Sequence, residues 1–509
     1  MHRPRTTASL PAMNLRPCFA ALALLLGIGT TPAAAAAKPH IVFILADDLG
    51  WGETGCYGQK KIPTPHIDQL AAEGLRFTQH YSGAPVCAPS RCVLLTGQHL
   101  GHAEIRGNQQ AAKSVPEFKE GQHPLSSKAI TIASVLQNSG YRTAAFGKWG
   151  LGPVGSSGDP ARHGFATFFG YNCQAVAHSF YPASLWQNDR RIPLNNPAVP
   201  GHAKVPADGL TETSFHGTTY SSHRIVAEAE AFIASAAQSP NPIFLYLPFT
   251  EPHVAMHPPT EEVNRFPRDW DPQPYQGENG YLPHARPRAA YAAMIHMLDQ
   301  YVGRIRSALA KAGMLEDALI IFTSDNGTTH AGKPDSPFHI GGADPAFFHS
   351  TAGLRGFKGS VYEGGLRVPC IVRWPNHIKA NTVSDFPSYF ADWFPTLCAA
   401  ADLAPPTAPD GAHLLPILTG TATPDSRKPM LWVFPEYTGQ IAVRIGPHKV
   451  IRRGLANRKP QPWEVYHVPS DPAEKTNLAA AHPELIRQAL DLLRSQTSEN
   501  QTFPLAIPD

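Results

Sequence analysis

The sequence predicts an α/β fold with a large, mainly parallel sheet and a smaller C-terminal α/β domain. Three continuous apolar runs indicate buried strands, at 40–46, 242–249 and 318–323. Such runs are typical of parallel strands that are covered on both faces. The clearest helix is expected at 289–313, because its apolar residues recur with helical spacing and a glycine ends it. A shorter helix is expected at 127–140.

The length and composition describe an ordinary globular protein of two domains. The chain has 509 residues, of which 16% are charged and 42% hydrophobic, and its net charge is +3. It contains no sustained basic run, so a nucleic-acid partner is not expected. We predict a large domain at 38–410 and a smaller domain at 411–509, because the composition near residue 403 turns to proline, alanine and polar residues. Short antiparallel strands at 429–435 and 441–451 and a helix at 484–495 are expected in the second domain.

Residues 1–37 have the features of a secretory signal. Three arginines precede an apolar run at 19–28, and small residues suitable for cleavage follow at 32–37. The apolar run is too short to span a membrane comfortably, so no stable membrane anchor is expected. The sequence therefore predicts an exported protein, periplasmic or secreted. Export permits disulfides, and the pairing of the six cysteines that follow the signal stays open.

Two acidic residues, Asp47 and Asp48, directly follow the first predicted strand. The carboxyl end of a strand is the usual place for a ligand site in an open α/β sheet. A plain turn explains one aspartate better than two. Paired carboxylates suit a hard divalent cation whose other oxygen ligands come from elsewhere in the chain.

The segment 86–92 contains a candidate nucleophile, Cys87. Pro89 suits the first turn of a helix, so Cys87 would lie at that helix's N-terminus, where an anion is favoured. Arg91, about one turn further, adds a permanent charge suited to an oxyanion. The alternative is a buried structural cysteine with Cys92 as its disulfide partner.

This segment resembles the Cys-x-Pro-Ser-Arg signature of the type I sulfatases, and the match continues through 94–97. Further motifs of that family occur in the family's order, one before this segment at 47–52 and three after it at 147–152, 325–327 and 362–369. The resemblance implies an alkaline-phosphatase-like α/β sandwich with a large mixed, mainly parallel sheet. It implies hydrolysis of aryl or carbohydrate sulfates to alcohol and inorganic sulfate. In this family the signature cysteine is converted to formylglycine by a formylglycine-generating enzyme, and the formylglycine hydrate is the nucleophile.

The resemblance also assigns a metal site to the strand ends. The ligands carried over by the family's motifs are Asp47, Asp48, residue 87, Asp325 and Asn326. An all-oxygen, six-coordinate site of this kind favours Ca²⁺, with Mg²⁺ as the alternative. The absence of suitably placed cysteines or paired histidines argues against zinc.

Further catalytic residues follow from the same motifs. Lys148 and Lys358 match the family's sulfate-binding lysines, and Arg91 is expected to act with them. His253 is the best general-acid candidate, because imidazole exchanges a proton near neutral pH, and Lys358 is the alternative proton donor to the leaving ester oxygen. Many relatives have a histidine where this chain has Gly150, so the group that assists the nucleophile is unassigned.

Three residues are expected to contact the substrate: His102, Arg106 and His178. His178 is also a candidate for the imidazole that is missing at position 150. Two other functions remain open at this point. The same site architecture could hydrolyse phosphonate monoesters or phosphodiesters, or the protein could be a non-catalytic anion- or glycan-binding relative.

Overall fold

The structure, a computed structural model, describes residues 1–2, 7–10, 38–422, 427–456 and 460–508. The predicted signal at 1–37 therefore lies almost wholly outside the described residues. Within the described ranges, no helix combines the length and apolar character needed to cross a membrane.

Within the described residues, the main sheet has eleven strands and is parallel at its centre. The strands are β1 (His40–Ala46), β2 (Leu75–Tyr81), β3 (Arg142–Lys148), β4 (Thr167–Tyr171), β5 (Ser184–Gln187), β6 (Arg190–Pro193), β7 (Ile243–Pro248), β8 (Ala318–Ser324), β9 (Arg367–Arg373), β10 (Thr382–Ser384) and β11 (Ser388–Tyr389). Their order in the sheet is β10-β2-β9-β8-β1-β7-β3-β4-β5-β6, and β11 pairs with β2. Antiparallel pairing occurs where β9 joins β2 and β8, and between the outer strands β4, β5 and β6. The sheet is thus mixed and mainly parallel, as predicted.

Helices and two separate hydrophobic cores cover both faces of this sheet. Along β1, Ile41 and Phe43 belong to one core, and Val42 and Ile44 belong to the other. This alternation explains why the strand is apolar at every position. The helices are α1 (Pro65–Glu73), α2 (Cys87–Thr96), α3 (Ile132–Asn138), α4 (Ser221–Ala236), α5 (Thr260–Val263), α6 (Pro287–Lys311), α7 (Pro345–Phe348), α8 (Glu363–Leu366), α9 (Trp393–Ala400), α10 (Leu415–Leu418) and α11 (Pro483–Ser495).

A second, antiparallel sheet lies in the C-terminal part of the chain. Its strands, in order, are β12 (Met430–Phe434), β13 (Gln440–Ile445), β14 (His448–Arg453) and β15 (Glu464–His467). The buried side chains of Ala489 and Leu493 on α11 pack against it. The division of the chain at residue 410 remains a prediction.

Two predicted elements differ from the structure. The helix expected at 127–140 begins only at Ile132, because Thr131 caps it through a hydrogen bond with the Ser134 N–H. The strand expected at 441–451 is instead the hairpin of β13 and β14. Its turn passes through Gly446, whose φ of 53° suits glycine.

The sheet register brings the carboxyl ends of four strands together. On β1, Leu45 pairs with Pro248 of β7 and Ala46 pairs with Ser324 of β8. Strand β3 lies beside β7 in parallel. Residues that follow β1, β7 and β8, and the end of β3 itself, therefore meet at one edge of the sheet.

Candidate active site

Four buried oxygen-bearing side chains meet at this edge. Asp47 and Asp48 follow β1, and Asp325 and Asn326 follow β8. The Asp48 N–H donates to Asp325 Oδ1 at 3.2 Å, and Asn326 Nδ2 donates to Asp48 Oδ1 at 2.7 Å. The structure thus brings together four of the five residues that the sequence predicts as metal ligands.

Cys87 is the first residue of α2, as its sequence context predicts, and Pro89 lies in the first turn. Its buried Sγ is 3.5 Å from Asp47 Oδ1, 3.6 Å from Lys148 Nζ and 3.3 Å from Lys358 Nζ. The six cysteines from Cys56 to Cys398 are all free, so the structure does not pair Cys87 with Cys92.

Three cationic side chains neutralise the carboxylates. Lys148 Nζ contacts Asp47 Oδ2 at 2.6 Å, and Lys358 Nζ contacts Asp48 Oδ1 at 2.7 Å. Both lysines therefore contact a carboxylate and the Cys87 sulfur at once.

Arg91 makes a different set of contacts. Its Nη2 donates to Asp325 Oδ2 at 2.8 Å and to Asp47 Oδ2 at 3.2 Å, and its Nη1 donates to the Lys148 carbonyl. These bonds direct the guanidinium at the carboxylates, whereas the sequence predicts that it holds an oxyanion. Arg91 is thus placed to orient two candidate metal ligands.

His253 follows β7 and is only 4% exposed. Its Nδ1 hydrogen-bonds the Val254 carbonyl, and its Nε2 is 3.6 Å from Asp48 Oδ2. The ring of His178 stacks on it, with the centroids 5.2 Å apart. The structure therefore brings both predicted histidines to the cluster.

His102 and Arg106 have other partners. His102 Nδ1 is 3.0 Å from Asp410 Oδ1, and its ring stacks on His99. Arg106 is buried and donates to the backbone of Ala103 and to Ser498, among others. That His102 and Arg106 contact the substrate stays a prediction.

The space beside Gly150 is occupied by a glutamine. A Cβ at position 150 would lie 2.8 Å from Gln174 Nε2, and Gly150 has a φ of 82°. Gln174 is 5% exposed, and its Nε2 finds no hydrogen-bond partner within the described part of the chain. The sequence does not predict that Gln174 lies beside Gly150, because this contact depends on tertiary packing.

The charges in the cluster shift the acidity of its members. Burial alone would raise the pKa of Asp47, but the charges of Lys148 and Arg91 hold it well below its usual value. Burial also opposes the charge of Lys358, yet Asp48 raises the pKa of that ammonium well above its ordinary value.

The pKa values of two other groups are shifted in the direction that favours the neutral form. Burial, followed by the Asp47 carboxylate, raises the pKa of the Cys87 thiol to about 12. Burial and the two lysine ammoniums lower the pKa of His253 well below its ordinary value. These surroundings keep an unmodified thiol protonated and the imidazole uncharged near neutral pH.

The donor set fits a hard divalent cation. A carboxylate oxygen of Asp47 and one of Asp48 lie within 4.8 Å of each other, in a group that also contains Cys87 Sγ and a ring nitrogen of His253. Among the described residues, the buried Asn326 Oδ1 has no hydrogen-bond partner, so it is free to bind a cation. Carboxylate and amide oxygens are the ligands that Ca²⁺ and Mg²⁺ prefer.

Comparison with known proteins agrees with this geometry. The sulfatase family model matches residues 39–403, and the model "N-sulphoglucosamine sulphohydrolase, C-terminal" matches residues 356–499. Human arylsulfatase A is 32% identical over 506 aligned positions. The alignment covers 92% of this chain and 90% of that protein. The N-acetylgalactosamine-6-O-sulfatase of Bacteroides thetaiotaomicron is 28% identical, with 90% of this chain and 93% of that protein covered.

A solved structure leads to the same family. It comes from work on the metabolism of glycosaminoglycans by Bacteroides thetaiotaomicron, and it matches with a TM-score of 0.70 and 26% identity. The match covers 90% of this chain and 99% of that one. The alkaline-phosphatase-like fold is thereby confirmed. The chain belongs to the sulfatase family and is a hydrolase of sulfuric esters.

Proposed function

We propose that this protein hydrolyses aryl or carbohydrate sulfates to the alcohol and inorganic sulfate, through a formylglycine hydrate at position 87 and a divalent cation. The observation that carries the proposal is the surroundings of Cys87. Its Sγ lies within 3.6 Å of two lysine ammoniums and a carboxylate oxygen, at the N-terminus of a ten-residue helix. A nucleophile there faces the positive charge that a sulfate group requires.

The cation is Ca²⁺, with Mg²⁺ as the alternative, and Asp47, Asp48, Asp325 and Asn326 would hold it together with residue 87. When bound, the cation supplies electrostatic stabilisation to the transferring group, and the modified residue supplies the attacking oxygen. Conversion of Cys87 to formylglycine requires a formylglycine-generating enzyme as a partner during maturation.

The chain's own side chains account for the remaining steps. Lys148 and Lys358 bind the sulfate oxygens, because both ammoniums already lie beside the residue 87 side chain. His253 donates its Nδ1–H to the Val254 carbonyl, so Nε2 of the neutral ring is an acceptor. It takes the proton that the attacking hydroxyl loses and passes that proton to the ester oxygen of the leaving alcohol. Arg91 acts as a positioning residue, since its donors are directed at Asp47 and Asp325.

The substrate class rests on the relatives. One similar protein is an arylsulfatase and another is an N-acetylgalactosamine-6-O-sulfatase. We therefore propose a small aryl sulfate or a sulfated carbohydrate as substrate. The sequence of residues 1–37 supports export to the periplasm or beyond the cell.

The test starts with protein from a host that has a formylglycine-generating system. Peptide mass spectrometry across residue 87 is expected to find an aldehyde in place of the thiol. The same preparation should hydrolyse 4-nitrophenyl sulfate much faster than 4-nitrophenyl phosphate, and Cys87→Ala should nearly abolish turnover. An unmodified Cys87 in fully active protein, or near wild-type turnover by Cys87→Ala, would refute the mechanism.

A further inference from the structure

Two tyrosines outside the predicted site residues lie beside its catalytic candidates. Tyr281 has a φ of 65° and Tyr437 a φ of 49°. Bulky residues seldom adopt this left-handed conformation, and where they do the surrounding structure must hold them in it. The two loops that carry these residues come from distant parts of the chain, so the fold holds both tyrosines independently.

Tyr437 is linked to the nucleophile through His330 and Lys358. His330 Nδ1 donates to the Lys358 carbonyl at 2.8 Å, so its Nε2 is an acceptor for the Tyr437 hydroxyl at 3.1 Å. The Tyr437 ring also stacks on His330, with the centroids 5.1 Å apart. Lys358 Nζ in turn lies 3.3 Å from Cys87 Sγ.

The Tyr437 side chain is nevertheless 49% exposed. Its hydroxyl already has a protein partner, and its ring also stacks on Phe434 with the centroids 5.8 Å apart, so the part left for a ligand is the exposed edge of the ring. An exposed aromatic ring that is held in place loses little entropy when it packs against a second ring.

Tyr281 lies beside the proposed general acid. Its ring centroid is 6.1 Å from that of His253 and 5.0 Å from that of His178. Its N–H donates to His202 Nδ1 at 3.1 Å, which fixes the loop. Burial raises the pKa of Tyr281, and the charges of Lys358, Asp48 and Cys87 also act on it, as expected of a residue near the nucleophile.

We propose that Tyr281 and Tyr437 form an aromatic recognition site for the cyclic alcohol part of the sulfate ester. The inference rests on the proposed function and adds the residues that select the leaving group. Lys148, Lys358 and the helix N-terminus recognise the sulfate by charge, which is common to all substrates. The two tyrosines instead contact what differs between substrates, an aryl ring or the apolar face of a sugar ring.

The test compares Tyr437→Ala with the matched control Tyr437→Phe in the formylglycine-containing, cation-loaded enzyme. Substrates are 4-nitrophenyl sulfate and galactose 6-sulfate, and inorganic sulfate serves as a competitive inhibitor that lacks an alcohol part. Loss of one aromatic contact should raise KM about tenfold in Tyr437→Ala, for one or both substrates. Tyr437→Phe keeps the ring and should stay within about twofold of wild type. Tyr281→Ala and Tyr281→Phe should behave in the same way.

The inhibition constant for inorganic sulfate distinguishes recognition from structural damage. It should be unchanged in all four variants, because the sulfate pocket does not include the tyrosine rings. A parallel rise in that constant would mean that Tyr437 acts through His330 on Lys358, and would overturn the inference. Unchanged KM values in the alanine variants would overturn it as well. A wild-type enzyme that hydrolyses no sulfate ester would refute the proposed function itself, which is a separate outcome.

Discussion

Replacement of Arg91 tests whether this residue organises the carboxylates. The guanidinium is fully buried and bonds Asp47, Asp325 and the Lys148 carbonyl. Arg91→Met keeps the length of the side chain but leaves both carboxylates without this partner. Arg91→Lys keeps the charge, but a single ammonium cannot reproduce the planar fork that joins the three groups.

The expected magnitudes follow from this burial. Breaking a buried ion pair by removing one partner costs about 3–5 kcal/mol. The unfolding entropy of about 470 residues is about 1 kcal/mol per kelvin, so Arg91→Met should lower Tm by about 3–5 °C. Loss of a residue that orients metal ligands weakens metal binding by about 10–100-fold, and we expect the half-saturating Ca²⁺ concentration of Arg91→Lys to rise by that factor.

The assays are thermal unfolding and a Ca²⁺ titration of 4-nitrophenyl sulfate hydrolysis. Arg367→Met is the matched control, because Arg367 is buried and bonds Glu363 at 2.6 Å outside the cluster. It should lower Tm to a similar extent and leave the Ca²⁺ requirement unchanged. A wild-type Ca²⁺ requirement in Arg91→Lys, or an equal loss of affinity in Arg367→Met, would refute the reasoning.

Two further predictions concern the proton donor and the glycine beside Lys148. His253→Ala should slow galactose 6-sulfate hydrolysis by about 10²–10⁴-fold. It should slow 4-nitrophenyl sulfate hydrolysis far less, because 4-nitrophenolate leaves without a proton. Equal losses in kcat for the two substrates would contradict general-acid catalysis. Gly150→Ala should lower Tm and kcat more than Gly155→Ala. Both glycines have positive φ, which costs alanine about 1–2 kcal/mol, but only the new Cβ at 150 meets Gln174. Equal Tm and kcat values in the two variants would contradict this.

Much of the site could be predicted because the strands that carry it are apolar along their whole length. Such runs mark β1, β7 and β8 in the sequence, and the polar residues that follow them must then share one sheet edge. The start of the Cys87 helix could be predicted as well, since the first turn is where a helix accepts a proline such as Pro89.

Other features depend on packing between distant segments and leave no local signal. The sequence shows that Arg91 follows Cys87 by one turn, but its partners come from the ends of β1 and β8. The proximity of Tyr437 to Lys358 arises because the β12–β13 loop approaches the main sheet, which no spacing along the chain reports. The late start of α3 has a local cause. Thr131 caps the helix, whereas the sequence offers Ser127 as an equally plausible capping residue.

The three cations of the cluster divide into one fixed group and two exchangeable ones. Arg91 bonds only protein oxygens, in a planar geometry that holds two carboxylates in one orientation. Lys148 and Lys358 each lie between a carboxylate and the residue 87 side chain, so a small rotation of a flexible stem transfers an ammonium from one to the other. A lysine ammonium is a compact charge that binds an anion from any direction. An arginine guanidinium is a planar fork, and the same rotation would break its two parallel hydrogen bonds to a carboxylate. The residue types therefore match the tasks that we propose for them: the arginine keeps the carboxylates in place, and the lysines exchange a carboxylate for a sulfate.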